Sequence, residues 1–210
     1  MVPYVDELAA RARSLARADG AARPVIGIAG PPGAGKSTLA EAVVAALDGL
    51  AALVPMDGFH LADAELRRLG RTDRKGAPDT FDAYGYGALL ARVRAPRPGE
   101  TVYAPCFERE LEQPVAGALP VSAGVSVVIT EGNYLLLDEE PWSSVVRPQL
   151  DEVWWVAVDD AVRIERLIAR HVRFGKSPSA ARAWVLRSDE ANARQVASGR
   201  ERADLVVDVD

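Results

Sequence analysis

The chain holds one cysteine, Cys106, and two histidines, His60 and His171. A single thiol excludes an internal disulfide and any zinc centre built from clustered cysteines; two imidazoles leave little for a His-rich metal site. So little cysteine suits a reducing compartment, and a cytoplasmic location is the expectation. Neither sign of charge dominates: 25 Lys and Arg stand against 30 Asp and Glu, a net charge of −5. There is no overall basic field to draw nucleic acid or an anionic membrane, so neither is an expected partner. No uncharged apolar run reaches the length that spans a bilayer. Residues 1–20 carry Asp6, Glu7 and scattered arginines where a signal peptide would have an apolar centre. Lysine is also scarce, with only Lys36, Lys75 and Lys176.

What is present is ordinary globular material: 210 residues, 49% hydrophobic and 26% charged, enough for one sizeable core. No internal repeat and no long linker divides it, so 1–210 reads as one domain. Val5, Leu8, Ala12 and Leu15 have helical spacing in an N-terminal helix over 1–20, ended by Gly20 and Pro24. Apolar runs at Val25–Ala29, Ala51–Met56, Val125–Thr130, Val153–Val158 and Leu205–Val207 read as buried strands. Helical patterns fall between them at Ser37–Leu47, Leu61–Leu69, Tyr84–Val93, Val162–Arg173 and Ser179 to about Ala197. Arg71–Asp82 reads as a loop, and Pro96–Pro120, with five prolines, as irregular structure with short strands. Strands alternating with helices predict an α/β fold, a parallel sheet covered on both faces. Its chemistry then belongs at the carboxyl ends of the strands. Trp154 and Trp155 are adjacent in one strand and should point to opposite faces.

One of the three lysines sits in Gly30-Pro31-Pro32-Gly33-Ala34-Gly35-Lys36-Ser37, followed by Thr38. This is the complete G-x-x-x-x-G-K-[ST] pattern, between a strand and a helix. Glycines let successive N–H groups turn inward on phosphate oxygens, the helix adds its positive N-terminus, Lys36 reaches the β- and γ-phosphates, and Ser37 offers a hydroxyl to Mg²⁺. ATP and Mg²⁺ are therefore the expected ligands. Asp57 and Glu131 each end an apolar run, and both should emerge beside this loop. Two acids there divide naturally into one that orients Mg²⁺ through water and one that takes the proton of an attacking hydroxyl.

Gly30–Ser37, Met56-Asp57-Gly58-Phe59-His60 and Thr130-Glu131-Gly132-Asn133-Tyr134 together resemble the uridine kinase and pantothenate kinase superfamily of P-loop kinases. Glu131–Leu137 and Arg170-His171-Val172-Arg173-Phe174-Gly175-Lys176 are similar to its bacterial nucleoside/nucleotide kinase-like group, which includes fructose transport system kinase-like proteins. The resemblance implies a P-loop NTPase fold with five parallel strands in the order 2-3-1-4-5, helices on both faces and a small helical lid over 163–178. It implies that Asp57 serves as base and that Glu131 stands near Mg²⁺ with Ser37. Read by themselves, Arg163, Arg166, Arg170 and Arg173 form one helical stripe of like charge that an anion would relieve, with Arg170 and Arg173 the foremost phosphate contacts.

The expected activity is transfer of the γ-phosphoryl of Mg-ATP to a hydroxyl of a small metabolite: a nucleoside, a pantothenate-like molecule or a sugar. Hydrolysis by a P-loop switch or ATPase is the alternative, though the guanine-reading Asn-Lys-x-Asp is absent. His60, Asn133 and Tyr134 are the candidate acceptor contacts, with Lys75, Tyr103 and Phe107 as weaker ones. Gly58-Phe59-His60 stands where uridine kinases carry Ser-Phe-Tyr, so the acceptor stays open. So does the choice between monomer and homodimer. Asn192 and Arg200 lie where the family approaches adenine, and a polar helix face and a turn explain them as well.

Overall fold

The computed structural model describes residues 3–16 and 22–209. The chain runs through α1 (Pro3–Ala16), β1 (Val25–Ala29), α2 (Lys36–Ala46), β2 (Ala51–Pro55), α3 (Asp63–Leu69), α4 (Ala83–Arg94), β3 (Val102–Glu108), β4 (Gln113–Val121), β5 (Val127–Gly132), β6 (Glu152–Ala157), α5 (Asp160–Arg173), α6 (Pro178–Trp184), α7 (Glu190–Val196) and β7 (Leu205–Asp208). The remainder of the expected 1–20 helix, with Gly20 at its end, lies outside the described residues. No described helix is long and apolar enough to cross a membrane.

Five strands pair in parallel in the order β2-β5-β1-β6-β7. β1 and β5 are buried at every position, as a strand covered on both faces must be. Side chains alternate between two apolar layers. Ile26, Ile28, Ile129, Trp154 and Val156 join Val5, Leu8, Leu39 and Val43 of α1 and α2 on one face. Val25, Val54, Val128, Val153 and Trp155 join Tyr86 and Leu90 of α4 and Val196 of α7 on the other. The tryptophan pair thus divides between the layers as the pleat requires.

Two stretches differ from the sequence reading. Pro96–Pro120 is more regular than its prolines suggested: β3 and β4 form an antiparallel two-stranded sheet of their own, with a register shift between Ala104 and Cys106. Such a ribbon lacks the two-sided burial that makes the other strands recognisable. The helix expected over Ser179–Ala197 is interrupted by a π-helical segment, Val185–Asp189, between α6 and α7.

The sheet order fixes where the acids stand. β5 lies between β1 and β2, and Glu131 pairs in register with Ile28 on one side and Pro55 on the other. Its side chain is 5% exposed. Immediately past Pro55 the chain makes a 3₁₀ turn, Met56–Phe59, which presents Asp57 at the same edge. The β3–β4 ribbon packs on that turn so closely that a Cβ on Gly58 would lie 2.3 Å from the Pro105 carbonyl oxygen. Only glycine permits the approach, and it is this approach that brings the ribbon's tip over Asp57.

Candidate active site

A cleft of about 280 Å³ opens at the carboxyl ends of the strands. Its walls include Lys36, Ser37, Asp57, Glu131, Asn133, His60, Lys75 and Arg170, so most of the expected site residues converge there. The phosphate loop makes one end. Gly30, Gly33 and Gly35 all have positive φ (154°, 81° and 93°). A Cβ on Gly33 would meet Leu167 at 2.7 Å and the Arg163 carbonyl oxygen at 2.8 Å. Helix α5 is therefore seated directly on the loop.

Lys36 is 7% exposed, and its ammonium makes one hydrogen bond among the described residues, to the Pro31 carbonyl at 3.0 Å. Burial pushes its pKa down to about 8, against the opposing charges of Glu131 and Asp57. A buried cation with so few partners calls for an anion. The Ser37 hydroxyl donates to Glu131 Oε1 at 3.1 Å. Burial resists ionisation of Asp57, but His60 when protonated, Arg109, Lys36 and Arg170 together outweigh it, and the carboxyl is held below its ordinary range.

Glu131 behaves in the opposite way: burial first, and then the Asp57 charge, push its pKa up to about 7 from 4.5. A carboxyl raised on folding contributes stability in full below its unfolded pKa, and that contribution is lost as pH rises through the folded pKa. Glu131→Gln, whose amide oxygen can still accept from Ser37, removes this dependence. Relative to the wild type, the nucleotide-free variant should gain about 2–3 kcal/mol of stability between pH 5 and pH 8. His60 titrates in both proteins, whereas the Lys36 pKa falls further once the Glu131 charge is gone, which adds to the variant's gain as pH rises. Urea denaturation of both at the two pH values checks this, and a change under about 1 kcal/mol would contradict it.

Several expected contacts are redirected. Tyr103 is 59% exposed and lies outside the cleft, because Val102 and Ala104 take the inward positions of β3 and the following register shift turns Phe107 into the cleft. Tyr134 is fully buried in the sheet's second layer, and its hydroxyl holds the Gly76 carbonyl. It therefore supports the Gly76 loop from behind. Asn192 donates to the same carbonyl at 3.3 Å, and Arg200 is exposed away from the cleft. Arg173 also misses the cleft and lies 5.8 Å over the Phe174 ring. Ten residues at about 100° each carry it roughly 80° round the helix from Arg163. Arg166 comes nearer the phosphate loop, its Nη1 3.9 Å from where a Gly35 Cβ would stand.

Arg163 is 1% exposed. It bonds Asp160 at 3.0 Å, Glu190 at 2.5 Å and the Pro32 carbonyl at 3.3 Å. The first part of the expected lid stretch is thus a fixed mount on the phosphate loop.

Arg109 had no signal in the sequence. It lies at the end of the β3 ribbon, 52 positions from Asp57, yet its Nη2 donates to Asp57 Oδ2 at 2.8 Å. His60 Nδ1 donates to the Asp57 carbonyl at 2.8 Å, leaving Nε2 as the ring's acceptor. Burial lowers the His60 pKa despite the Asp57 charge.

The model of the phosphoribulokinase and uridine kinase family matches residues 25–210. The chain belongs to this family. An ATP-dependent kinase-like protein from Aspergillus versicolor, notR', is 38% identical over 153 residues, covering 69% of this chain and 88% of its own. YggC of Escherichia coli K12 is 34% identical over 192 residues, 89% of this chain and 78% of its own. The crystal structure of a candidate fructose transport system kinase from Silicibacter sp. TM1040 matches with a TM-score of 0.86 at 36% identity, over 97% of this chain and 98% of that one. Kinases with this loop generally use ATP with Mg²⁺. The donor set here fits both ligands. Among the described residues no group of three or more His, Cys, Asp or Glu could hold a metal. One hydroxyl and one carboxylate, Ser37 and Glu131, instead suit an ion completed by phosphate oxygens and water.

Proposed function

We propose that this P-loop kinase transfers the γ-phosphoryl group of ATP to a hydroxyl of a small metabolite. The observation that carries this is the shared cleft: the Asp57 carboxylate opens into the same space as Lys36 and Ser37. Water and an alcohol alike need an acceptor for their proton; what favours an alcohol is the wall beyond Asp57, where His60, Lys75, Asn133 and Arg109 offer polar groups that a lone water does not need.

Gly30–Thr38 binds the triphosphate, with backbone N–H groups on its oxygens and the Lys36 ammonium swung from Pro31 onto the phosphates. Ser37 and Glu131 would hold Mg²⁺, which would offset phosphate charge when bound. Asp57, ionised and fixed through one oxygen by Arg109, keeps its other oxygen for the acceptor hydroxyl. That hydroxyl oxygen forms a bond to the γ-phosphorus. The bond from phosphorus to the β–γ bridging oxygen breaks, its electron pair leaves with ADP, and the proton passes to Asp57. A weak base suffices because the transition state is loose and the oxygen needs placing more than deprotonating. Arg170, with Arg166 nearer the loop, supplies positive charge around the moving group. The part of the lid that closes begins beyond Leu167, since Arg163 and Leu167 are packed on the phosphate loop; closure keeps water out.

A coupled ADP-release assay over hydroxylated metabolites, with Lys36→Ala as background, tests the reading. Turnover stimulated by an acceptor is expected. Acceptor-independent hydrolysis alone would favour the switch or ATPase.

A further inference from the structure

The phosphate end of the cleft uses Lys36, Ser37 and Glu131, and the other end is left with more hydrogen-bond donors than acceptors. Arg109 carries five N–H donors, and its one hydrogen bond among the described residues goes to Asp57. Lys75 gives two of its three donors to Asp63 Oδ1 at 2.7 Å and the Glu112 carbonyl at 2.5 Å. The Arg170 guanidinium has no hydrogen bond among the described residues. Arg170 and Arg109 line the same cleft; burial, and next the charge of Arg109, lower the Arg170 pKa against the charges of Asp189, Asp57 and Glu112. Like charges gathered at a cleft wall are relieved by an anion between them.

Beside Asp57 the aromatic rings are already packed on one another, and Phe174 and Trp184 line a different part of the cleft wall. His60 stands with its ring centre 4.0 Å from that of Phe81 and 4.7 Å from that of Phe107. Lys75 and Arg109 lie 5.4 and 4.9 Å over the Phe107 ring. The whole cleft, phosphate end included, is about 280 Å³, at the small end for a ligand site.

We propose that the acceptor is a small hydroxylated acid, and that Arg109, assisted by Lys75, binds its carboxylate or phosphate while Asp57 meets its hydroxyl. This rests on the phosphotransferase reading above and narrows its acceptor class. One guanidinium serves both groups. One edge holds Asp57 and the remaining N–H groups face the acid in the fork geometry that carboxylates and phosphates match. The phosphorylated hydroxyl therefore lies only a few bonds from the acid group.

The test uses the full chain with saturating Mg-ATP and acceptors in matched pairs: hydroxy acids with their primary amides, sugar phosphates with the free sugars, and uridine as a neutral nucleoside. The acid member should exceed its neutral partner by about 10–100-fold in kcat/KM. The two kinds of pair distinguish carboxylate from phosphate. Arg109→Gln should raise KM for the acid by a similar factor without raising KM for ATP, Arg109→Lys should recover part of the loss, and Lys75→Met should raise the same KM by less. Equal turnover of acid and neutral partners, or efficient turnover of uridine, would overturn the proposal and leave the kinase standing. So would an Arg109→Gln variant that lowers kcat equally for both members at unchanged KM, since Arg109 would then serve Asp57 alone. No acceptor above the Lys36→Ala background would overturn the phosphotransferase reading and this proposal together.

Discussion

Asp57→Asn should lower kcat by about 10²–10⁴-fold, the range general-base contributions span, while ATP binds as tightly as before or more so. The substitution keeps size and shape. Its amide oxygen still accepts the Arg109 N–H that meets Oδ2 at 2.8 Å, so the ribbon stays seated on the 3₁₀ turn. What disappears is the ability to take a proton, together with one negative charge facing Lys36, Arg109 and Arg170. Removing that charge cannot weaken the binding of a triphosphate. Equilibrium titration with a fluorescent ATP analogue and the coupled assay separate the two effects. A variant with wild-type kcat would remove Asp57 from the mechanism, and one with weakened ATP binding would make it part of the nucleotide site.

Arg163→Ala should cost about 3–5 kcal/mol, the usual consequence of breaking a buried ion pair from one side. Arg163 is 1% exposed, while Glu190 on α7 is 18% exposed in its side chain and would be left without its cation. The Pro32 carbonyl of the phosphate loop would lose its donor as well. Asp160 is largely exposed, and water would replace Arg163 there. The double variant Arg163→Met, Glu190→Met should recover much of the loss, because two apolar side chains of similar reach leave no stranded charge. Urea denaturation gives the stabilities. A single variant within about 1 kcal/mol of wild type would show the pair to be solvated.

The sequence disclosed what is local and periodic. Fully buried strands announce themselves as apolar runs. The phosphate loop is contiguous, and Asp57 and Glu131 follow from where strands end. Features set by the pairing of distant segments stayed hidden. Arg109 reaches Asp57 only because the β3–β4 ribbon folds onto Gly58, and nothing near Arg109 in the chain encodes that approach. Tyr103 faces out by simple alternation, whereas Phe107 faces in because the register shift between Ala104 and Cys106 resets which side chains point inward. The arginine stripe of α5 was legible as a stripe, but not how it divides. Packing of Leu167 on Gly33 commits Arg163 to the interior and leaves Arg170 to overhang the cleft. Tyr134 follows the strand-end glutamate and looked like a pocket residue, yet the chain turns there and buries the ring.

The Gly76 carbonyl accepts from Tyr134 and from Asn192. Asn192 stands one half-turn beyond Glu190, whose carboxylate is tied through Arg163 to Pro32. The phosphate loop and the Gly76 loop thus share one short strut, α7, among their supports. Whatever pries that strut loose slackens both loops at once, and neither can be retuned without tugging on its counterpart.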